Sequence, residues 1–170
     1  SIRRQRQMCI RDRSNIYNYF SCKDDIFVQI VTPAVRTFEN MLDEHHGRRG
    51  TDIMAMCDRD YFKYMVDEYT SFIHRHRDLL LLLLFRSQGS SLENYKEEFA
   101  RKSTALVKEY FTLMKHKHPQ LETDISDFSI RMHTVWMFAL FEELLMRRVK
   151  PDEIEKVVTC LLYTSDAVDE

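Results

Sequence analysis

From residue 26 onward, apolar side chains recur at helical spacing: Ile26, Phe27, Ile30, Val31, Ala34, Val35, Phe38, Met41 and Leu42, ending at His45-His46 before Gly47-Arg-Arg-Gly50. This 3.6-residue period predicts an amphipathic helix, and the glycines predict its end. Ahead of it, Ser21-Cys-Lys-Asp24 is a Ser-x-x-Asp pattern. Its hydroxyl can accept from an orphan backbone N–H, and its acid suits the positive helix end. Pro33 lies inside the pattern, where it removes one backbone donor and predicts a kink.

A second long helix is predicted over Asp52 to His76, with Ile53, Cys57, Tyr61, Met65, Tyr69, Phe72 and Ile73 on one face. The run DLLLLLLF follows, apolar on all sides and without β-branching, which predicts a short helix buried all round. Ser87-Gln-Gly-Ser breaks it. Ser90 and Glu93 form a capping-box pattern for a helix from about Leu92 to Lys117, whose basic end precedes Pro119. Ile125 to Arg148 reads as another helix, and its VWMFALF stretch is apolar on consecutive positions and needs cover on more than one face. Lys150-Pro151-Asp-Glu opens a last one, with proline in the first turn.

Composition agrees with this pattern. Of 170 residues, 44% are hydrophobic and only 3 are Gly and 3 Pro, so an all-α fold is expected. The net charge of -2 gives no global footprint for nucleic acid or an acidic membrane, so partners must be read locally. The longest apolar run, Leu79 to Phe85, is far below the roughly 20 residues that cross a bilayer. No membrane partner and a cytoplasmic location are expected.

The two ends are related in an unusual way. Arg6 to Asp12 (RQMCIRD) can be encoded by CGT CAG ATG TGT ATA AGA GAC, followed by AG as the first two bases of an Arg13 codon. The complementary strand, in a shifted frame, reads Cys-Leu-Leu-Tyr-Thr-Ser-Asp, the sequence of Cys160 to Asp166. Carrying the relation back over Arg3-Arg4-Gln5 predicts Asp-Ala-Ala-Asp where Asp166-Ala167-Val168-Asp169 stands, a single mismatch. Both ends thus resemble a translated sequencing adapter, and the natural segment is expected to run from about Ser14 to Thr159. On that reading the basic N-terminal stretch is not a DNA-binding arm, and the remainder keeps 20 of the 25 basic and 23 of the 27 acidic side chains. Cys22 and Cys57 remain as well, without CxxC spacing or a disulfide framework, which fits a reducing compartment.

The stretch SNIYNYFSCKDDIF resembles the end of the DNA-binding head of the TetR family of bacterial transcriptional regulators. There the recognition helix ends in a Tyr-x-Tyr/His-Phe pattern, followed by a small polar residue, Lys, an acid and an apolar pair. Here these are Tyr17-Asn18-Tyr19-Phe20, Ser21, Lys23, Asp24-Asp25 and Ile26-Phe27. The match covers about 14 residues, and the helical layout behind it is similar to the family's body. The resemblance implies that Ser14 and Asn15 face the major groove, and that Tyr17, Tyr19 and Lys23 meet backbone phosphate. Tyrosine hydroxyls and a lysine at a helix start suit phosphate independently of it. The alternative is that the aromatics are core of a small head, the reading taken for Ile16 and Phe20. The family's two bracing helices and glycine turn would lie ahead of Ser14. Without them the 170 residues are expected not to bind an operator and to expose Ile16, Phe20 and Phe27.

The relation between the two ends and the resemblance together imply four segments: 1–13 adapter-like, 14–45 a remnant of the head with its linking helix, 51–159 an effector-binding and dimerisation body, and 160–170 adapter-like. In the body, Tyr61, Tyr64, Met65, Phe72, Phe99, Met132 and Trp136 are candidates for an effector pocket, with plain core as the alternative. Phe138, Phe141, Leu145, Ile154 and Val158 are candidates for a homodimer interface, with burial in one chain as the alternative. Partners implied are operator DNA, a small-molecule effector and a second copy. No cofactor is expected. His74 and His76, like His116 and His118, stand two apart and face differently, and His45-His46 beside Asp43 and Glu44 is at most a surface ion site. No Glu-x-x-His pair, His-Glu-x-x-His, glycine-rich phosphate loop or Gly-x-Ser-x-Gly gives positive support for an enzyme. The rival to a ligand-responsive regulator, most simply a repressor, is a helical small-molecule-binding or protein-interaction module without DNA binding.

Overall fold

The computed structural model describes residues 20–163. Among these there is no strand, and seven helices follow in order: α1 (Lys23–His46), α2 (Ile53–Met56), α3 (Arg59–Arg75), α4 (Arg77–Phe85), α5 (Tyr95–Lys117), α6 (Asp127–Met146) and α7 (Pro151–Tyr163). The fold of these residues is all-α, as composition and periodicity predict.

Helix α1 passes through Pro33 without interruption. Two threonines bond back along the helix around it, Thr32 Oγ1 to the Val28 carbonyl at 2.6 Å and Thr37 Oγ1 to the Pro33 carbonyl at 2.8 Å. Its start differs from the predicted cap. Cys22 takes the capping position without a side-chain bond, and Ser21 instead donates through its amide and its hydroxyl to the Asp25 carboxylate. Asp24 accepts from the Ser91 N–H at 2.9 Å, tying the helix start to the α4–α5 turn. At the other end Gly47 donates to the Asp43 carbonyl at 2.7 Å. A Cβ on Gly47 would collide with that carbonyl and with the Asp43 side chain, so the stop requires glycine. Phe27, expected to be left exposed, is partly buried against the core, whereas Ile30 is exposed despite its place in the period.

The helix predicted over Asp52 to His76 is two helices. Asp52 accepts from the Met54 N–H at 2.9 Å and Asp58 from the Asp60 N–H at 2.7 Å. A second capping carboxylate inside one apolar period offers the backbone an alternative to helix continuation. Cys57 sits exposed at that break.

Helix α4 lies centrally, packed against α1, α3, α5 and α6, which explains its apolar character all round. Leu80 and Leu83 are buried, while Leu79, Leu81, Leu82 and Leu84 are partly so. The expectation of full burial fails at Phe85, which is exposed and shares an outer depression with Leu81, Leu82 and Met146. Helices α5 and α6 pack along each other, and α7 packs on α3. The core centres on Phe38 of α1. Its ring stacks on Phe99 of α5 at 4.4 Å between centroids and on Phe72 of α3 at 5.3 Å, and it meets Phe138 and Phe141 of α6 at 5.7 and 5.6 Å.

Helix α6 starts on Ser126, whose hydroxyl accepts from the Ser129 N–H at 3.1 Å. It ends in a left-handed residue, Arg148, at φ 52°. Val149 donates to the Leu144 carbonyl and Arg148 to the Leu145 carbonyl, each at 3.3 Å, which is the Schellman pattern. The Arg77 guanidinium also donates to the Leu145 carbonyl. An arginine where glycine is the usual residue costs about 1 kcal/mol of backbone strain. Arg148→Gly is expected to raise unfolding stability by about that amount, read as a higher urea midpoint at unchanged slope. A lower midpoint would show that the arginine side chain contributes more than its backbone costs.

Candidate functional site

Between α1, α3, α5 and α6 lies a cavity of about 380 Å³. Helix α1 contributes Phe38, Leu42 and His46, three residues spaced four apart and therefore on one stripe. Helix α5 contributes Phe99, Ser103 and Phe111, and α6 contributes Ile130, His133 and Thr134, with Tyr69 reaching in from α3. Phe38, Phe99, Ser103, Ile130 and Thr134 are buried and form its inner wall. Ile125, Ser129 and His133 are exposed and lie at the outer side, where a second, more polar depression shares Phe111, Ile125 and Ile130.

No Asp, Glu, Lys or Arg lines the cavity. Its polar groups are hydroxyls and imidazoles. Ser103 and Thr134 bond each other at 3.1 Å, bridging α5 and α6, and Ser129 is held by Ser126 at 2.9 Å. Burial pushes the Tyr69 phenol up to about 12, so it stays neutral. Although His133 is exposed as a residue, its ring is desolvated by its neighbours enough to lower its pKa. His46 differs from the rest. Its Nδ1 is buried without a hydrogen-bond partner in the chain, and its ring lies edge-on to Tyr110 at 5.2 Å. Burial, with smaller contributions from His45 and His133, holds its pKa down to about 4, so the ring is neutral at pH 7.

Its neighbour is the opposite case. His45 is 2% exposed, with Nδ1 against the Tyr61 hydroxyl and Nε2 at 2.6 Å from the Glu68 carboxylate, which also accepts from the Tyr64 hydroxyl at 3.1 Å. The pair is therefore not a surface ion site. Among the described residues no group of three or more His, Cys, Asp or Glu side chains is placed to hold a metal ion.

Of the seven residues proposed for a pocket, Phe99 lines this cavity. Tyr61 and Tyr64 secure His45, Met65 is partly buried on α3, and Phe72 is core beneath Phe38. Met132 and Trp136 are each 45% exposed on α6, outside the cavity. Phe138, Phe141, Leu145, Ile154 and Val158, proposed for an interface, are all buried within the one chain. Phe138, Phe141 and Leu145 of α6 are covered from α1, α3, α4 and α5, and Ile154 and Val158 of α7 from α3. Lys23 is exposed at the first position of α1. Ser14, Asn15, Tyr17 and Tyr19 lie outside the described residues. Sequence reasoning weighed His46 only as a surface ion ligand and did not single out Ser103, Phe111, Ile130, His133 or Thr134, although the Phe38–Leu42–His46 spacing extends the buried stripe to the histidine.

Among the described residues no helix is long and apolar enough to cross a membrane. No family model, no curated protein and no solved structure matches the chain.

The histidine gives a pH test. Unfolding restores the ordinary value of 6.5, so the unfolded chain binds the proton more tightly than the folded one. Acid therefore favours unfolding: the contribution is complete above about 6.5, falls as pH drops toward 4 and is exhausted below it, by about 3 kcal/mol. His46→Phe is expected to flatten this part of the stability profile, measured by urea unfolding between pH 7 and 4. An unchanged slope in the variant would assign the acid sensitivity to other groups.

Proposed function

We propose that the chain is the ligand-sensing body of a homodimeric transcriptional regulator of the TetR type, joined through α1 to the end of a DNA-reading helix. The observation that carries this reading is the position of α1. Its first residue, Lys23, stands after Ser21 and Cys22 behind the Tyr17-Asn18-Tyr19-Phe20 stretch, and its last turns wall the cavity with Phe38, Leu42 and His46. One helix of about 36 Å thus connects the segment that would read DNA to the space that would hold an effector. A ligand that fits the cavity better in one setting of α1 than in another shifts the population between those settings, and with it the position of the reading helix.

On this reading Ser14 and Asn15 face base edges, while Tyr17, Tyr19 and Lys23 neutralise or bond phosphates. The protein extended by its natural upstream sequence, expected to carry two short helices and a glycine turn, is tested by fluorescence anisotropy on selected duplexes. Lys23→Ala is expected to weaken binding for all sequences alike and to reduce the slope of log K against log salt by about one. A slope unaffected by the substitution would remove Lys23 from the contact. Failure of the extended protein to bind any duplex would leave a helical small-molecule-binding module.

The second copy is assigned to the outer face of α6. Phe128, Met132, Val135, Trp136 and Ala139 are exposed there at helical spacing. The charges beside them are paired within the chain, Arg131 to Glu97 at 2.6 Å and Lys96 to Glu142 at 2.5 Å, so no uncompensated charge calls for a charged partner. A self-complementary apolar helix face suits a two-fold related copy. Trp136→Glu is expected to shift sedimentation equilibrium from dimer to monomer with helix content unchanged. A monomeric unsubstituted protein would overturn the assignment.

A further inference from the structure

The lining of the cavity restricts the chemistry of what it can hold, and this inference rests on the proposed role of that cavity as a ligand site. Four observations bear on it. No charged side chain lines the space, so an ion entering it would lose its hydration without gaining a counter-charge. Six of the lining residues carry rings: Phe38, His46, Tyr69, Phe99, Phe111 and His133. The volume of about 380 Å³ lies at the small end of ligand pockets and leaves room for one or two rings.

The fourth observation is the unpartnered Nδ1 of His46. The other polar groups of the inner wall are already engaged, Ser103 with Thr134 and with the Ala100 carbonyl, and Thr134 with the Ile130 carbonyl as well. A buried imidazole nitrogen without a partner is unfavourable, and a ligand that bonds it recovers that loss. In the neutral ring Nδ1 either donates or accepts, depending on the tautomer. A hydroxyl serves both cases, since it is donor and acceptor at once, whereas a carbonyl serves only one.

We propose that the cavity takes an uncharged phenol or ring-bearing alcohol, with its apolar body among Phe38, Phe99 and Phe111 and its hydroxyl bonded to His46 Nδ1. His46 is then a specificity residue: it selects a hydroxyl over hydrogen or a carboxylate on the same skeleton. Its place on α1 also puts the polar anchor of the ligand on the helix that leads to Lys23.

Three probes of one shape test this: 4-phenylphenol, biphenyl and biphenyl-4-carboxylate, titrated calorimetrically into the full chain. The phenol is expected to bind about tenfold more tightly than biphenyl, the range of one hydrogen bond, and the carboxylate most weakly. In the ¹⁵N-labelled protein the Nδ1 resonance of His46 is expected to shift with the phenol and not with biphenyl. His46→Phe, which keeps a ring and removes the nitrogen, is expected to bring the phenol and biphenyl affinities within about twofold. The wild-type ranking and the resonance shift decide the matter even if this variant does not fold. A carboxylate that binds as tightly as the phenol overturns the ligand class while leaving the cavity a ligand site. A phenol preference that survives His46→Phe overturns the role of the histidine, and no binding by any probe overturns the proposal outright. Duplex binding by the extended protein is measured separately, so failure of the ligand class and failure of the regulator reading remain distinct.

Discussion

The ring of Phe38 is where four helices meet. It belongs to α1 and touches rings from α3, α5 and α6, with centroid separations of 4.4 to 5.7 Å. Aromatic pairs at such distances contribute on the order of 0.5–1.5 kcal/mol each beyond the area they bury. They also fix relative position, because a flat ring stacked on two sides cannot slide freely. The central α4 contributes its leucines beside this cluster, and the whole arrangement needs no strand, disulfide or metal among the described residues.

The same ring forms part of the inner wall of the cavity, so core and site are not separate regions. Below Phe38 the space is filled by Phe72 and the α6 phenylalanines. Along the stripe beyond it, toward Leu42 and His46, packing stops and the cavity begins. The inner wall of the cavity is therefore the core itself, while exposed Ile125, Ser129 and His133 form its outer side. What distinguishes the two is a few polar atoms, most of them satisfied by one another and one of them not.

Much of the fold was legible because local signals and the apolar period agree. Helix α1 follows from the spacing of Ile26 to Leu42 and from Gly47, α6 begins within two residues of the predicted Ile125, and α7 begins at Pro151 as a first-turn proline predicts. The break at Asp58 was hidden because the period of Tyr61, Met65 and Tyr69 continues that of Ile53 and Cys57, and only the carboxylate bond to Asp60 separates them. The site was less legible. Size drew attention to Tyr61, Tyr64, Met132 and Trp136, but size carries no direction, and the first two point to His45 while the last two face outward. A run such as Val135 to Phe141 shows that several faces of a helix need cover. It does not show whether that cover comes from the same chain, as it does for Phe138 and Phe141.

His45 and His46 are adjacent, yet one is held by a phenol and a carboxylate and the other has a free nitrogen. A single residue step turns a helix by about 100°, enough to send two identical side chains into different surroundings. The bonds of His45 anchor α1 at its C-terminal end, and the ring contacts of Phe38 hold it two turns earlier. Toward Lys23 the restraint changes in kind, because the Asp24–Ser91 hydrogen bond is exposed and water competes for it.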